Sequence, residues 1–421
     1  MAVNPLNRHD ACSEPPASEE PHVEATMNTN DRARSGFSLI ALAYIGFISL
    51  GLPDAVIGVA WPSVRDDFVL AQGAAGLVFV ASGLGYFITS FLAGRLTQAL
   101  GIGLLLAAST ALVATAMFGF AFSPLWWMFV SCAVIHGFGS GAIDAGLNSY
   151  AAHHLSVRHM NWLHACYCFG AMLGPLLMTA VLTSGNDYST GYLIVGAVMT
   201  GLAAMFLATR PRWGQVSARG PEAKRVGTCE ALRNPTVLFQ MVVFFLYTGL
   251  EMTFSQWAYT VLTEARAVNP GPAGVAVGAY WGSIGVGRVV FGLIADPIGI
   301  DRLLRFCLLA AAGGAVLFAV PLPTEAAFAG LALAGFGLAP VFPCLMTRTP
   351  QRLGSALSAH AVGFSVGAAM IGAAAVPGAL GLIAGAVGLH AITVGAVAFA
   401  VLLWLLHEGL VRQSRPQLDP R

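Results

Sequence analysis

Three carboxylates stand inside long apolar stretches: Asp54 in Gly51-Leu-Pro-Asp54, Asp144 in Gly141-Ala-Ile-Asp144, and Glu251 in Tyr247-Thr-Gly-Leu-Glu251. An ionised side chain at mid-membrane costs about 2.5–3.5 kcal/mol on insertion scales, so an acid held there is expected to have a function. Proton binding is the chemistry that suits it, because a carboxyl keeps its proton when desolvated and gives it up when solvated or paired. Polar groups accompany the acids at helical spacing. Asn148 follows Asp144 by one helical turn, and His164 and Tyr167 share a face of the next apolar run. After Glu251 come Gln256 and Trp257, an amide and a flat ring on which a sugar-like solute could stack. These eight residues are the candidate proton-coupling groups (Asp54, Asp144, Glu251) and substrate-binding groups (Asn148, His164, Tyr167, Gln256, Trp257).

The elements that must position them are apolar runs long enough to cross the ~30 Å hydrocarbon core. The sequence predicts twelve: 37–62, 73–99, 102–121, 125–153, 160–183, 190–209, 236–263, 272–295, 302–321, 326–347, 353–384 and 388–411. Runs this continuous are helices, because a barrel would show short alternating strands. Of the 421 residues 57% are hydrophobic and only 10% charged, far below the ~25% of soluble domains. The 49 glycines suit close helix packing in lipid. The expected fold is therefore all-α and integral to the membrane. Residues 1–35 form a polar tail with no apolar core of the signal-peptide kind, which we expect to be a disordered cytoplasmic tail. Residues 36–209 form a first six-helix half and 210–235 a polar linker. Residues 236–412 form a second half and 413–421 a second tail. Arginines crowd the tails and even-numbered loops, as at Arg95, Arg158, Arg210, Arg302, Arg348 and Arg412, whereas the odd loops hold only Arg65 and Arg266. Both termini are thus expected in the cytoplasm.

The halves repeat. At one offset of 198 residues Ala75-Gly76 falls on Ala273-Gly274, Gly101 on Gly299, Gly137-Phe-Gly139 on Gly335-Phe-Gly337, and Gly174 on Gly372. Six helices separate the copies, so the repeat is parallel and a site is expected between the halves near mid-membrane. The polar residues do not repeat: Asp144 falls on Phe342, Asn148 on Met346 and His164 on Val362. A site weighted toward the first half follows. Helices 125–153 and 160–183 turn near residue 156. At 1.5 Å per residue, Asp144 and Tyr167 lie about 17 Å from that turn and Asn148 and His164 about 12 Å. If their faces meet, the four converge.

The segment Gly292-Leu-Ile-Ala-Asp296-Pro-Ile-Gly299-Ile-Asp-Arg302 resembles the loop motif of the major facilitator superfamily, although its first-half copy has Gln98 in place of the acid. The resemblance implies two parallel six-helix repeats, alternating access, and a charge latch carried here by Asp296 and Arg302; the nearby Arg288, buried in an apolar helix, needs a partner, either Asp296 within that latch or an acid across the cavity. Three stretches resemble the fucose permease-like branch, whose members mostly take up sugars with protons: Gly51 to Pro62, Gly141 to Asn148, and Arg158 to Pro175. In that branch acids on the first and fourth helices are tied to proton coupling and sugar binding, and here they match Asp54 and Asp144. Amides lining the sugar site there match His164 and Tyr167.

Other chemistries find no support. The seven cysteines contain no CxxC pair, and no metal or cofactor is expected. His153, His154 and His159 belong to the polar end of a hairpin, and Gly285-x-Gly287 follows no strand and reads as helix packing. A net charge of +1 gives no surface for nucleic acid. No nucleophile–base pair suggests an enzyme. The expected function is proton-coupled uptake of a sugar or similar small polar solute by a monomer in a bacterial inner membrane, with sodium as the alternative ion. The rival is proton-antiport efflux of amphipathic compounds.

Overall fold

A computed structural model describes residues 29–155, 157–213 and 228–418. Most of the tail expected at 1–35, the middle of the linker expected at 210–235 and the end of the tail expected at 413–421 lie outside these residues. Among the described residues there is no strand, and twelve helices are long and apolar enough to cross a membrane. They are α1 (Leu39–Asp67), α2 (Gln72–Leu100), α3 (Ile102–Phe122), α4 (Trp126–Ala151), α5 (Trp162–Thr183) and α6 (Tyr188–Arg212), followed by α7 (Pro235–Ala265), α8 (Pro270–Ala295), α9 (Ile300–Ala319), α10 (Thr324–Gly354), α11 (His360–Val387) and α12 (His390–Arg412). Each expected run coincides with one helix. Gly354, at φ 74°, separates α10 from α11 where the chain would otherwise run on as one long helix.

The 198-residue repeat is visible as packing. A Cβ on Gly137 would strike the Ser82 carbonyl, and one on Gly335 would strike the Tyr280 carbonyl at the equivalent position. Gly139 faces the Ser109 carbonyl and Gly337 the Cys307 carbonyl, again equivalent. Gly101 and Gly299, at φ 72° and 85°, end α2 and α8 in the same way, their N–H groups bonding to the Thr97 and Ala295 carbonyls. In α5 and α11 the register differs. Gly372 packs on the Phe245 carbonyl as Gly170 packs on that of Ile48, so its counterpart is Gly170, one turn before Gly174.

α1 is broken at Ala55. Pro53 cannot donate a backbone hydrogen bond, and Asp54 sits at the discontinuity. The Asp54 carbonyl accepts a hydrogen bond from Gln256 Nε2 on α7 at 3.3 Å, which satisfies a backbone group freed inside the membrane.

The halves meet along the end of the bundle remote from the termini. There Gly58 abuts the Ser255 carbonyl, Gly76 abuts Gly378, and Arg65 Nη1 binds Glu264 Oε2 at 2.9 Å. α5 and α8 stay in contact from Gly274 on Thr179 down to Gly285 on Cys168. Toward the termini α2 and α11 part: Phe91 is 82% exposed, and nothing lies within 4 Å of a Cβ placed on Gly363 or Gly367. The molecule is thus closed at one end and parted at the other.

Of the residues expected in the latch, Arg288 points into the bundle toward an acid, Glu251, one of its two expected partners, Arg302 is exposed, and the Asp296 side chain lies outside the described residues. Among the described residues Asp301 on α9 binds both Arg348 and Arg352 of α10, the latter at 3.1 Å, while Arg305 grips Glu408 of α12 through two bonds of 2.5 and 2.8 Å. Arg352 is 3% exposed. Asp301→Ala should therefore leave a buried guanidinium short of its carboxylate and cost about 3–5 kcal/mol. A clearly lowered melting temperature in detergent is the expected reading. Arg305→Ala, which breaks a pair open to solvent on the arginine side, should cost about 1 kcal/mol or less.

Candidate functional site

Close backbone approach places the acids. On α1 and α5, Gly51 faces the Tyr167 carbonyl, Gly170 that of Ile48, and Gly174 that of Leu52. Small residues at such contacts let helices touch, and the Tyr167 hydroxyl consequently donates to Asp54 Oδ2 at 3.1 Å. On α2 and α4, Gly85 faces the Val134 carbonyl and Gly141 that of Tyr86. The Tyr86 hydroxyl donates to Asp144 Oδ2 at 2.6 Å, and Asn148 Nδ2 donates to Asp144 Oδ1 at 2.8 Å. Both acids are only partly covered, and they lie within electrostatic reach of each other.

The second half contributes an ion pair. Arg288 on α8 lies 3.8 Å from Glu251 on α7, both nearly buried. Arg288 Nη1 also donates to the His164 carbonyl at 3.0 Å, which ties α8 to α5 across the two halves. Tyr280 donates to the Glu251 carbonyl at 2.9 Å, and Trp281 to Ser255 Oγ at 3.1 Å. The Trp281 ring meets Tyr167 edge-on at 5.8 Å, so the Asp54 cluster and the Arg288–Glu251 pair share a wall.

Several expectations change. Asp144, Asn148, His164 and Tyr167 do not form one cluster. Asp144 and Asn148 join Tyr86, Tyr167 turns to Asp54, and His164 lies between Phe47 and Phe342 at centroid distances of 5.3 and 6.4 Å. The cause is helix order: α4 packs on α2 and α3 whereas α5 packs on α1 and α8, so α4 and α5 barely touch. Trp257 is not placed to stack on a solute. Its ring is fully buried, donates to the Pro377 carbonyl at 2.9 Å, and meets Phe79 edge-on. Gln256 is occupied by the α1 break rather than by open space.

Two polar residues escaped the sequence reading. Tyr86 gave no signal, being one aromatic on an apolar helix. His136 did give one: His136, Ser140, Asp144 and Asn148 recur every fourth residue along α4, one stripe through the membrane. His136 Nε2 lies 3.4 Å from Asp54 Oδ1, and its Nδ1 lies 3.0 Å from Ser82 Oγ. The site therefore links α1, α2, α4 and α5 of the first half to α7 and α8 of the second. No group of three or more metal-binding side chains exists among the described residues.

Comparison with known proteins agrees with this architecture. The family model described as Major Facilitator Superfamily matches residues 43–377. Bypass of stop codon protein 6 of Saccharomyces cerevisiae is 24% identical over 409 residues, covering 87% of this chain and 82% of that protein. The arabinose-proton symporter of Escherichia coli is 28% identical over 200 residues, 46% of this chain and 42% of that one. The crystal structure of a variant of the E. coli fucose:proton symporter superposes with a TM-score of 0.62 at 15% identity, over 90% of this chain and 99% of that one. With twelve membrane-length helices in two repeated halves and a family match across most of its length, this chain belongs to the Major Facilitator Superfamily, and within it resembles the fucose permease-like sugar:proton symporters.

Proposed function

We propose that this transporter takes up a sugar or similar small polar solute together with protons, by alternating access, from a bacterial inner membrane with both termini in the cytoplasm. One observation carries the reading: Asp54 and Asp144, on different helices, each accept a hydrogen bond from a tyrosine hydroxyl and remain partly accessible inside the bundle. Carboxylates held so can exchange protons as the surroundings open and close. With the termini inside, the parted end faces the cytoplasm and the Arg65–Glu264 contact closes the outside. The sugar:proton symporters among the proteins it resembles support the solute class.

The walls favour a neutral solute. Hydroxyl and amide groups of Tyr86, Asn148 and Tyr167 suit polyhydroxy compounds. Arg288 is the fixed cation of the site and is already shared between Glu251 and the His164 carbonyl. Uncharged sugars and sugar alcohols are therefore expected to bind at least tenfold more tightly than sugar acids, about 1.4 kcal/mol. Phe47 and Phe342 beside His164, with Tyr247 against Phe342, are what favours the rival, export of amphipathic compounds by proton antiport.

A thermal-shift screen of purified protein against sugars, sugar alcohols, sugar acids and amphipathic drugs separates the readings. Hits are then taken into proteoliposomes with an imposed pH gradient, with a sodium gradient as the control. Stabilisation by drugs alone, or accumulation driven only by sodium, would sink the proposal.

A further inference from the structure

The carboxyl at the α1 break does not stand alone. His136 approaches from α4 with its side chain 11% exposed and Nε2 3.4 Å from Asp54 Oδ1. Its other nitrogen lies 3.0 Å from Ser82 Oγ on α2, and Ser140 Oγ lies 3.4 Å from Nε2. The α3 side is apolar, with Phe120 at a centroid distance of 6.4 Å. The ring is thus surrounded by one acid and two hydroxyls. A hydroxyl can donate or accept, so Ser82 and Ser140 serve the imidazole and the imidazolium equally well.

Resting on the proton-coupled reading above, we propose that His136 and Asp54 share the transported proton as a dyad. When the Asp54 O–H bond breaks, a new N–H bond forms at His136 Nε2, and a neutral pair becomes a carboxylate–imidazolium pair. Net charge is unchanged in that step, which avoids leaving a bare carboxylate in a poorly solvated site. The Tyr167 hydroxyl on Asp54 Oδ2 holds the carboxylate form. The other titratable groups facing the dyad are Tyr86 and Asp144, both within electrostatic reach of Asp54. From α7, Gln256 presents only its amide, to the Asp54 carbonyl. Asp144 then acts as the second station of the pathway rather than the sole coupling acid.

Paired variants separate proton sharing from positioning. His136→Gln keeps a polar group near the position of Nε2 but takes no proton, whereas His136→Ala removes it. The expected result is that Ala raises the KM for exchange about tenfold while Gln brings it back to within about threefold of wild type, and that both lose at least tenfold in pH-driven accumulation. Accumulation restored to the wild-type level by Gln would make His136 a positioning residue and overturn the proposal. A direct readout stands apart from transport: nitrogen NMR of histidine-labelled protein, with the His136 signal identified by its loss in His136→Gln. Asp54→Asn should displace the pH of the His136 protonation change by about one unit, and no displacement refutes the dyad. If wild type accumulates no solute under a pH gradient while that displacement is seen, the transport reading fails and the dyad stands.

Discussion

Asp144→Asn is expected to abolish pH-driven accumulation while solute exchange continues at a reduced rate. Asparagine has the same shape, and the surroundings can accommodate it. Tyr86 donates to one oxygen of Asp144 and Asn148 to the other. An amide keeps one acceptor for Tyr86, and Asn148 can rotate its own amide to present oxygen to the new donor. The protein should therefore fold, with a stability change of about 1 kcal/mol or less. What disappears is the exchangeable proton. One coupled proton in a gradient of one pH unit is worth about 1.4 kcal/mol, or tenfold accumulation. Wild-type vesicles should reach about that ratio and Asp144→Asn vesicles should stay near unity. Counterflow of labelled solute, which needs no net proton movement, should fall only about threefold, because Asn148 and Tyr86 still line the wall. Tenfold accumulation by the variant would exclude Asp144 from coupling.

The sequence made this acid conspicuous for a simple reason: a charge inside an apolar helix is costly enough to stand out without any partner being known. The twelve spans were legible for the same reason, since the bilayer imposes length and continuity. The α4 stripe was half legible. Asp144 and Asn148 were paired by spacing, but the same four-residue step back to Ser140 and His136 is hidden unless the whole span is followed. Partners across helices were not legible. Depth arithmetic placed Asp144 level with Tyr167 yet could not say that α1 stands between them. Tyr167 therefore serves Asp54, and Tyr86 serves Asp144. Trp257 misleads in the same manner: its type suggests stacking on a solute, but Gly381 of α11 leaves room for its ring against the protein's own backbone. For Arg288 the spacing left two partners open, Asp296 and an acid across the cavity, and the side chain reaches inward to Glu251.

Replacing the glycine at position 137 should be costly through structure rather than chemistry. A Cβ there would overlap the Ser82 carbonyl, and the Tyr86 backbone nitrogen lies only 2.9 Å away. Backbone cannot rotate aside as a flexible side chain can, so Gly137→Leu must drive α2 and α4 apart. Overpacking of a tight contact typically costs about 1–3 kcal/mol, and here separation also costs the site its geometry. The Tyr86–Asp144 bond and the Ser82–His136 contact both span the α2–α4 interface. Gly335→Leu should behave alike for stability, because the Tyr280 carbonyl blocks it at the repeated position, but it lies outside the first-half cluster and should spare the Asp54–Tyr167 bond. Gly94→Leu is the control: nothing lies within 4 Å of its Cβ and its φ is ordinary for a helix. Melting in detergent should rank Gly94→Leu near wild type, with the other two clearly lower. If Gly137→Leu melts like wild type, α2 and α4 are not packed as closely as the carbonyl contacts require, and the position of Tyr86 over Asp144 would have to be redrawn.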